Sequence, residues 1–128
     1  FPWSNSVNGG FNQGAQPWLA FSSTDFSVNA QSQINDAHSV FAFYQKMIAL
    51  RNKHYPQALI YGSFAAVEDV DERIVAYQRA THNEHFISIT NLSAQHLPYT
   101  LPAGEIVLNN YADADATLKP YQTILVKE

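Results

Sequence analysis

Hydrophobic positions repeat at helical spacing in one stretch near the middle of the chain. Five apolar side chains follow the i, i+3, i+4, i+7, i+8 order of an amphipathic helix: Val40, Phe43, Tyr44, Met47 and Ile48. Asn35 or Asp36 is suited to cap the first turn, and basic residues occupy the last one. The pattern therefore predicts a helix over residues 37–54. Phe41 and Leu50 widen its apolar face, which favours packing on two sides.

After Pro56, short runs of β-branched and aromatic residues alternate with turn-forming residues. The runs predict strands at residues 58–61, 63–68, 73–80, 84–91, 96–101, 105–109 and 122–127. In one of these runs, Ile87 and Ile89 point to one face while Phe86 and Ser88 point to the other. Because the strands follow one another at a spacing of about 8–12 residues without intervening helices, we expect a mainly β fold, an antiparallel β-sandwich.

The first 34 residues show neither helical nor strand periodicity. Glycine, proline, asparagine, glutamine and serine are frequent there and predict a long loop. Five aromatic side chains interrupt this polar stretch: Trp3, Phe11, Trp18, Phe21 and Phe26. Loops longer than about 12–15 residues are uncommon in a compact domain unless they are functional or rest on a larger body. We infer that these rings pack on a body outside the stretch itself.

Composition and charge exclude several classes of protein. Of the 128 residues, 46% are hydrophobic and 14% are charged, which is typical of a folded chain and not of a disordered one. The net charge of -4 argues against a nucleic-acid partner, since phosphates need clustered cations. No apolar run approaches the roughly 20 residues that span a bilayer, so no membrane is expected. The absence of cysteine excludes disulfides and thiolate metal sites, and it fits the cytoplasm.

Acidic residues cluster in one predicted turn: Glu68, Asp69, Asp71 and Glu72. Retaining glycoside hydrolysis uses two carboxyl groups about 5–5.5 Å apart. Turns favour aspartate for conformational reasons, however, and nothing apolar nearby would raise a carboxyl pKa, so a solvated turn is the expected role. A weak calcium site there, or at Asp113 and Asp115, is the alternative, although neither stretch matches an EF-hand loop.

The other candidate sites lack partners at the required spacing. His82 and His85 flank a turn, but no third metal ligand lies near them in the sequence. Ser63 and Ser88 are in no G-x-S-x-G motif, and the glycine-rich stretch 9–14 lacks the spacing of a phosphate-binding loop. Asn91-Leu92-Ser93 matches the glycosylation sequon, a pattern too frequent to carry an inference. No metal ion and no cofactor are expected.

The aromatic opening of the chain is the one region whose composition suits a ligand. Flat rings beside asparagine and glutamine amides suit sugars, because the rings stack on C–H faces while the amides hydrogen-bond to hydroxyl groups. A plug between two domains explains the same rings. On the residues alone, both interpretations stay open.

Several segments resemble the α-glucosidases and oligo-1,6-glucosidases of glycoside hydrolase family 13. Residues 1–6, followed by Gly10-Phe11 and Pro17-Trp18-Leu19, resemble the loop after the last barrel strand. Residues 35–51, which end Met-Ile-Ala-Leu-Arg, are similar to the final barrel helix. Four further motifs look like the C-terminal β-domain: Tyr61-Gly62-Ser63-Phe64, Val75-Ala76-Tyr77, Asn91-Leu92-Ser93 and the stretch from Asn109-Asn110-Tyr111 to Leu118-Lys119-Pro120-Tyr121. The resemblance extends in order along the whole chain.

The resemblance implies a (β/α)8 barrel followed by a small β-sandwich. Residues 1–56 would then be the last loop and last helix of the catalytic barrel, and residues 57–128 the C-terminal β-sandwich domain. The family's nucleophilic aspartate, acid/base glutamate and transition-state-stabilising aspartate all precede this point, so no residue here is expected to be catalytic. The chain departs from the family pattern at Phe1-Pro2, where Met-Gln is commoner, and at Ser4 and Ala37, which replace Asp and Pro.

The function implied by the resemblance is that of a non-catalytic C-terminal fragment of a retaining α-glucosidase. In the parent enzyme, four residues are expected to line or buttress the substrate mouth: Trp3, Asn5, Phe11 and Trp18. The implied partners are the N-terminal barrel of the same protein and, in the parent only, an oligosaccharide. Without the barrel, exposed apolar surface is expected to cause self-association. The alternatives are a stand-alone carbohydrate-binding module, the tail of a sucrose isomerase or trehalose-6-phosphate hydrolase, or an interaction domain.

Overall fold

The structure of the chain, a computed structural model, describes residues 1–128. They form two compact units, Phe1–Gln45 and Lys46–Glu128. The division after residue 56 that the resemblance implies refers to a barrel and a sandwich of a longer protein, and it stays a prediction. None of the helices has the length and apolar content needed to cross a membrane.

Residues 1–34 are largely a loop, as predicted, but they contain two short helical segments. One is a 3-10 turn at Val7–Gly10, and the other is helix α1 at Ala30–Ile34. Asn29 caps α1: its side chain accepts the Ser32 N–H at 2.9 Å, and the Ser32 hydroxyl accepts the Asn29 N–H at 3.3 Å. A helix of five residues is too short to show a hydrophobic period, so the sequence predicted only loop here.

Helix α2 spans Val40–Ala49 and continues as a wider, π-helical segment over Leu50–His54. The predicted helix is therefore confirmed, but it begins three residues later than expected. The predicted cap at Asn35 or Asp36 is wrong, because the Ser39 hydroxyl accepts the Ala42 N–H at 3.1 Å. The Asp36 carboxylate instead accepts the His38 N–H at 2.8 Å in a turn before the helix.

The strand predicted at 58–61 is wrong, because Gln57–Tyr61 is a second π-helical turn. Pro56 has helical dihedral angles and starts the turn. Gly62 ends it at a close approach: a Cβ there would lie 2.4 Å from the Ala58 carbonyl oxygen. A run of four apolar residues is compatible with either state, so periodicity could not decide between them.

The second unit is built on a five-stranded antiparallel sheet, which confirms the mainly β fold. Its strands are β1 (Ser63–Ala66), β2 (Ile74–Ala80), β3 (His85–Asn91), β5 (Glu105–Asn109) and β7 (Thr123–Lys127), in the spatial order β1-β2-β3-β7-β5. A second sheet has two strands, β4 (Leu97–Pro98) and β6 (Thr117–Leu118). The strand predicted at 96–101 is thus shorter than expected, and β6 was not predicted.

The hydrophobic core lies between the two sheets. On the large sheet it consists of one face of the central strands: Ile74, Ala76, Ile87, Ile89, Ile124 and Val126. Leu97 and Leu118 cover this face from the small sheet and are 2% and 1% exposed. Two packed sheets make the sandwich that the spacing of the strands along the sequence predicted.

The opposite face of the large sheet is also partly covered. Phe86 is fully buried there, and its ring centroid lies 4.9 Å from that of Tyr55. Arg79 donates from Nη2 to the Ile60 carbonyl at 2.7 Å and so ties β2 to the second π-helical turn. The helical segments of the unit therefore lie on this face. The large sheet is thus covered on one face by the small sheet and partly covered on the other by these helical segments.

Candidate functional site

A row of four aromatic rings runs through the first unit. The Trp3 and Phe11 rings meet edge to face with centroids 6.3 Å apart. Phe11 continues to Phe21 at 6.0 Å, and Phe21 to Phe26 at 5.1 Å. Trp3 and Phe11 were predicted from the sequence as site residues. Phe21 and Phe26 were not, because their aromatic character is their only signal.

Trp18 and Asn5, the other two predicted site residues, are not part of this row. Trp18 is 94% exposed, which leaves nearly the whole indole in water. Asn5 is exposed in a turn between Ser4 and Ser6, whose hydroxyl oxygens lie 2.7 Å apart. The structure thus brings together half of the predicted set, and the proposed role of all four residues remains a prediction.

Backbone hydrogen bonds hold Trp3 against the glycine turn. The N–H groups of Trp3 and Ser4 donate to the Gly9 carbonyl at 2.8 and 3.2 Å. Gly10 has a φ of +78°, and a Cβ on it would lie 2.6 Å from the Ser4 hydroxyl oxygen. A side chain at position 10 would therefore displace the segment that carries Trp3.

Asn8 and Asn12 fix the loop around Phe11, and neither was predicted as a site residue. Asn8 has a φ of 54°, in the left-handed region. Its amide donates to Asn12 Oδ1 at 2.7 Å and to the Ala15 carbonyl at 2.9 Å. Asn12 Oδ1 also accepts the Gly14 N–H at 3.0 Å. The Asn8-Gly9 dipeptide, a frequent turn signal, is the sequence feature from which this frame could have been predicted.

Helix α2 carries an uncovered apolar stripe. Its large exposed side chains lie at helical spacing on one side: Val40, Phe41, Tyr44, Met47 and Ile48. Their exposed fractions run from 37% to 65%. A solvent-facing helix surface of this kind normally carries charged residues, so the stripe marks a surface that is suited to contact another apolar body.

The acidic turn at residues 68–72 is solvent-exposed, as expected. The Arg73 guanidinium lies 2.6 Å from the Asp71 carboxylate and lowers the pKa of Asp71 to about 2. The hydrogen bond from Lys119 likewise lowers the pKa of Asp113. A general acid needs a raised pKa, which neither group has. No three His, Asp or Glu side chains lie close enough together in the chain to hold a metal ion.

The two other polar candidates have structural partners. His85 pairs through Nδ1 with the carboxylate of Glu128, so its ring is turned to the C-terminal residue. Asn91 of the glycosylation sequon is fully buried, and its amide donates to the carbonyls of Gln95 and Lys119 at 2.7 and 2.9 Å. An amide that is buried and hydrogen-bonded in this way is not accessible to a glycan.

A groove of about 480 Å³ lies on the second unit, on the sheet face opposite the core. One side is formed by the end of α2 and the π-helical segments, through residues such as Leu50, Arg51 and Leu59. The floor is formed by side chains of β1, β2, β3, β5 and β7. The volume is that of a ligand or peptide site. This groove could not be predicted from the sequence, because it depends on the turn that was predicted as a strand.

Comparison with known proteins gives one family. Residues 1–62 match the family model described as alpha amylase, catalytic domain. The chain is 35% identical to an alpha-glucosidase of Schizosaccharomyces pombe, over 98% of this chain and 23% of that protein. It is 32% identical to an oligo-1,6-glucosidase of Parageobacillus thermoglucosidasius, over 85% of this chain and 20% of that protein. Trehalose-6-phosphate hydrolases are also among its relatives.

Solved structures also resemble this chain along almost its whole length. The crystal structure of isomaltulose synthase from Klebsiella sp. LX3 superposes with a TM-score of 0.85 at 31% sequence identity. The match covers 99% of this chain and 24% of that one. The chain thus spans less than a quarter of the length of the relatives and structures that it matches here.

Proposed function

The chain belongs to glycoside hydrolase family 13, the α-amylase family, and from this premise we propose that it forms the C-terminal part of a retaining α-glucosidase. In this proposal, the complete cytoplasmic enzyme removes terminal α-linked glucose from short oligosaccharides. The observation that carries the proposal is the alignment with an alpha-glucosidase. This alignment covers 98% of this chain and 23% of that protein. The remaining part of such an enzyme would supply the catalytic barrel.

The role proposed for the chain itself is structural and non-catalytic. Retaining hydrolysis needs a carboxylate nucleophile and a carboxylic acid about 5–5.5 Å apart, the acid with a raised pKa. Asp71 and Asp113 lie in exposed turns beside basic partners that lower their pKa. These carboxyl groups are therefore unsuited to act as the acid, which supports placing the reacting carboxylates upstream.

The aromatic row is proposed to border the substrate mouth. Trp3 and Phe11 are 62% and 53% exposed, so their ring faces are accessible to the C–H face of a sugar. The glycine turn and the two asparagines fix the loop that carries them, so little entropy would be lost on binding. Asn5 and Trp18 are proposed to line or buttress the same mouth; both are exposed, and neither belongs to the row.

Three other functions are tested because specific observations favour them. The similarity to isomaltulose synthase supports a sucrose isomerase, and the relatives that are trehalose-6-phosphate hydrolases support that activity. The exposed rings of the first unit support a stand-alone carbohydrate-binding module. Saturable binding of maltotriose or isomaltose to the 128-residue chain would favour the module, and no binding would favour the enzyme fragment.

The experiment that tests the proposal uses the complete coding region that contains this chain. The expressed protein is incubated separately with maltose, isomaltose, sucrose and trehalose 6-phosphate, and the products are followed by proton NMR. The proposal predicts glucose release from maltose or isomaltose, with an initial excess of the α-anomer over its equilibrium share, because the glucose from the non-reducing unit leaves with retention after two inversions. Conversion of sucrose to an isomer, or an initial excess of the β-anomer over its equilibrium share, would contradict it.

A further inference from the structure

Asn8 and Gly9 form the one Asn-Gly pair in the 128 residues, and they lie in the turn that holds Trp3. An asparagine before glycine is chemically labile, because glycine has no side chain to hinder attack of its nitrogen on the asparagine amide. We propose that Asn8 is a site of spontaneous deamidation, that the Asn12 side chain suppresses the reaction in the folded chain, and that the reaction releases the loop carrying the aromatic row. This modification does not depend on the proposed activity.

Deamidation proceeds through a cyclic imide that the chain forms by itself. The backbone nitrogen of Gly9 attacks Asn8 Cγ, so that an N–Cγ bond forms and the Cγ–Nδ2 bond breaks, and the former N–H proton leaves with ammonia. One water molecule then opens the imide at Cγ, which gives aspartate, or at the backbone carbonyl carbon of Asn8, which gives isoaspartate. In sum, one amide and one water become one carboxylate and one ammonium ion, so no oxidant is needed.

The backbone of the turn explains why this labile pair is present. Asn8, Gly9 and Gly10 have φ values of 54°, 62° and 78°, three successive residues in the left-handed region. Glycine adopts this region freely, and asparagine tolerates it better than most residues do. A Cβ at position 9 would also lie 3.0 Å from Pro2 Cβ. A side chain that would slow the reaction by shielding the Gly9 nitrogen is therefore disfavoured by the fold.

Hydrogen bonds hold both reacting groups away from each other. Gly9 is buried, and its N–H donates to the Ser6 carbonyl at 3.0 Å, whereas the attacking nitrogen must lose this proton. The Asn8 amide donates to Asn12 Oδ1 at 2.7 Å and to the Ala15 carbonyl at 2.9 Å, so Cγ cannot turn toward the nitrogen while these bonds persist. The reaction therefore requires local opening of the loop, which is rarer than the folded state.

The aspartate product does not fit the frame that Asn8 maintains. A carboxylate oxygen would replace the Nδ2 donor and face two acceptors, Asn12 Oδ1 and the Ala15 carbonyl. If the Asn12 amide turned to donate to the carboxylate, the Gly14 N–H, which donates to Oδ1 at 3.0 Å, would lose its acceptor. One group is left without a partner in either arrangement, which costs free energy where the loop is partly buried.

The isoaspartate product disturbs the backbone as well. It inserts one carbon atom into the main chain between positions 8 and 9. The Gly9 carbonyl, which accepts the N–H groups of Trp3 and Ser4 at 2.8 and 3.2 Å, is displaced by this insertion. Because the hydrolysis releases ammonia and is not reversed, the Trp3 end of the aromatic row is released permanently.

Rates of deamidation in the complete protein test the site and its protection. The protein, Asn12→Ala and Gln13→Ala are incubated at slightly alkaline pH, and the peptide containing residue 8 is followed by mass spectrometry with fragmentation that distinguishes isoaspartate. Asn12→Ala should raise the rate at Asn8 by roughly fivefold or more, the change in an opening equilibrium that one lost hydrogen bond produces. Gln13 is exposed and also loses an amide, and its variant should keep the original rate. Equal rates in the two variants would overturn the role of Asn12.

The same measurement in guanidinium chloride separates protection by the fold from reactivity of the sequence. The three unfolded proteins should deamidate at Asn8 at one common rate, which exceeds that of the folded, unsubstituted protein. This comparison stays decisive if Asn12→Ala fails to fold. A folded protein that reacts at Asn8 as fast as the unfolded one, or no reaction at Asn8 even when unfolded, would overturn the proposal.

Hydrogen–deuterium exchange tests the release of the loop. Asn8→Asp reproduces the aspartate product, and it should speed exchange in the peptide that contains Trp3 and Ser4 by roughly fivefold or more, as expected for the loss of one hydrogen bond. Gln13→Glu adds the same charge at an exposed position of the same loop and should leave this exchange unchanged. Equal exchange in the two variants would overturn the proposed release.

Discussion

The side-chain amide of Asn91 donates to the Lys119 carbonyl at 2.9 Å and joins the end of β3 to the turn before β7. The same amide reaches the Gln95 carbonyl at 2.7 Å, and Asn91 Oδ1 accepts the N–H and hydroxyl of Ser93 at 2.9 and 2.8 Å. Asn91 itself is fully buried. One side chain therefore joins the loop between β3 and β4 to the turn between β6 and β7.

Asn91→Ala is expected to destabilise the β-unit by about 2–4 kcal/mol, since two backbone carbonyls lose their donor while remaining partly buried. The free energy of unfolding is measured by urea titration. Leu92→Ala is the control, because Leu92 is the next residue but 59% exposed. It should change stability by no more than about 0.5 kcal/mol. Equal effects of the two substitutions would remove the structural role assigned to Asn91.

The Asp71–Arg73 pair gives a pH dependence of defined sign. The pKa of Asp71 falls from 3.8 to about 2 on folding, mainly through the hydrogen bonds from Arg73. The folded state therefore binds this proton less readily, and the pair stabilises the fold above about pH 4 and ceases to do so as the pH falls to about 2. The effect is small, because the pair is exposed.

Urea midpoints of the protein and of Asp71→Asn, measured from pH 7 to pH 2, isolate this contribution. The difference between the two proteins should be constant at neutral pH and shrink toward zero near pH 2. Measurement in high salt should reduce the difference at neutral pH, because salt screens exposed pairs. A difference that grows on acidification would have the wrong sign for a lowered pKa.

Self-association of the 128-residue chain is expected from the apolar stripe on α2 and the apolar groove. Sedimentation velocity should show a mass that rises with concentration, together with binding of an apolar dye. Ile48→Ser should reduce both signals, because Ile48 is 52% exposed in the stripe. Leu92→Ser removes a leucine that is 59% exposed elsewhere and should not. A monomer at all concentrations without dye binding would contradict the expectation.

Trp3→Ala is expected to weaken substrate binding in the complete enzyme. Loss of a stacking surface at the mouth should raise KM for isomaltose by about tenfold, equivalent to roughly 1.4 kcal/mol, with a smaller change in kcat. Tyr121→Ala is the control, since Tyr121 has a similar exposure but belongs to the other unit. Unchanged KM in Trp3→Ala would remove Trp3 from the proposed mouth.

Much of the fold could be predicted because the local spacing of hydrophobic residues indicates the helix and the strands. The spacing from Val40 to Ile48 predicted α2, and the alternation through Ile87 and Ile89 predicted a strand with one core face. Both patterns are repeated over enough residues to be distinguished from chance. The turn at Gln57–Tyr61 and strand β6 were missed, since four apolar residues fit two states and a two-residue strand has no period.

The candidate sites were less predictable because they depend on contacts between distant residues. The sequence shows that Trp3 and Phe11 are aromatic. It does not show that their rings form a row with those of Phe21 and Phe26, because this arrangement follows from the fold of the glycine turn. The groove combines Arg51, Ser88 and Leu125, which are far apart in the sequence. No short motif encodes such a surface. The family resemblance, by contrast, rests on short motifs, and it was confirmed.

Glucose release by the purified 128-residue chain, compared with that of the complete protein from the same coding region, tests the central claim most directly. Both are incubated with isomaltose at equal molar concentration. We predict turnover by the complete protein and none by the chain alone. Turnover by the chain alone, or an inactive complete protein against every α-glucoside tried, would contradict the account.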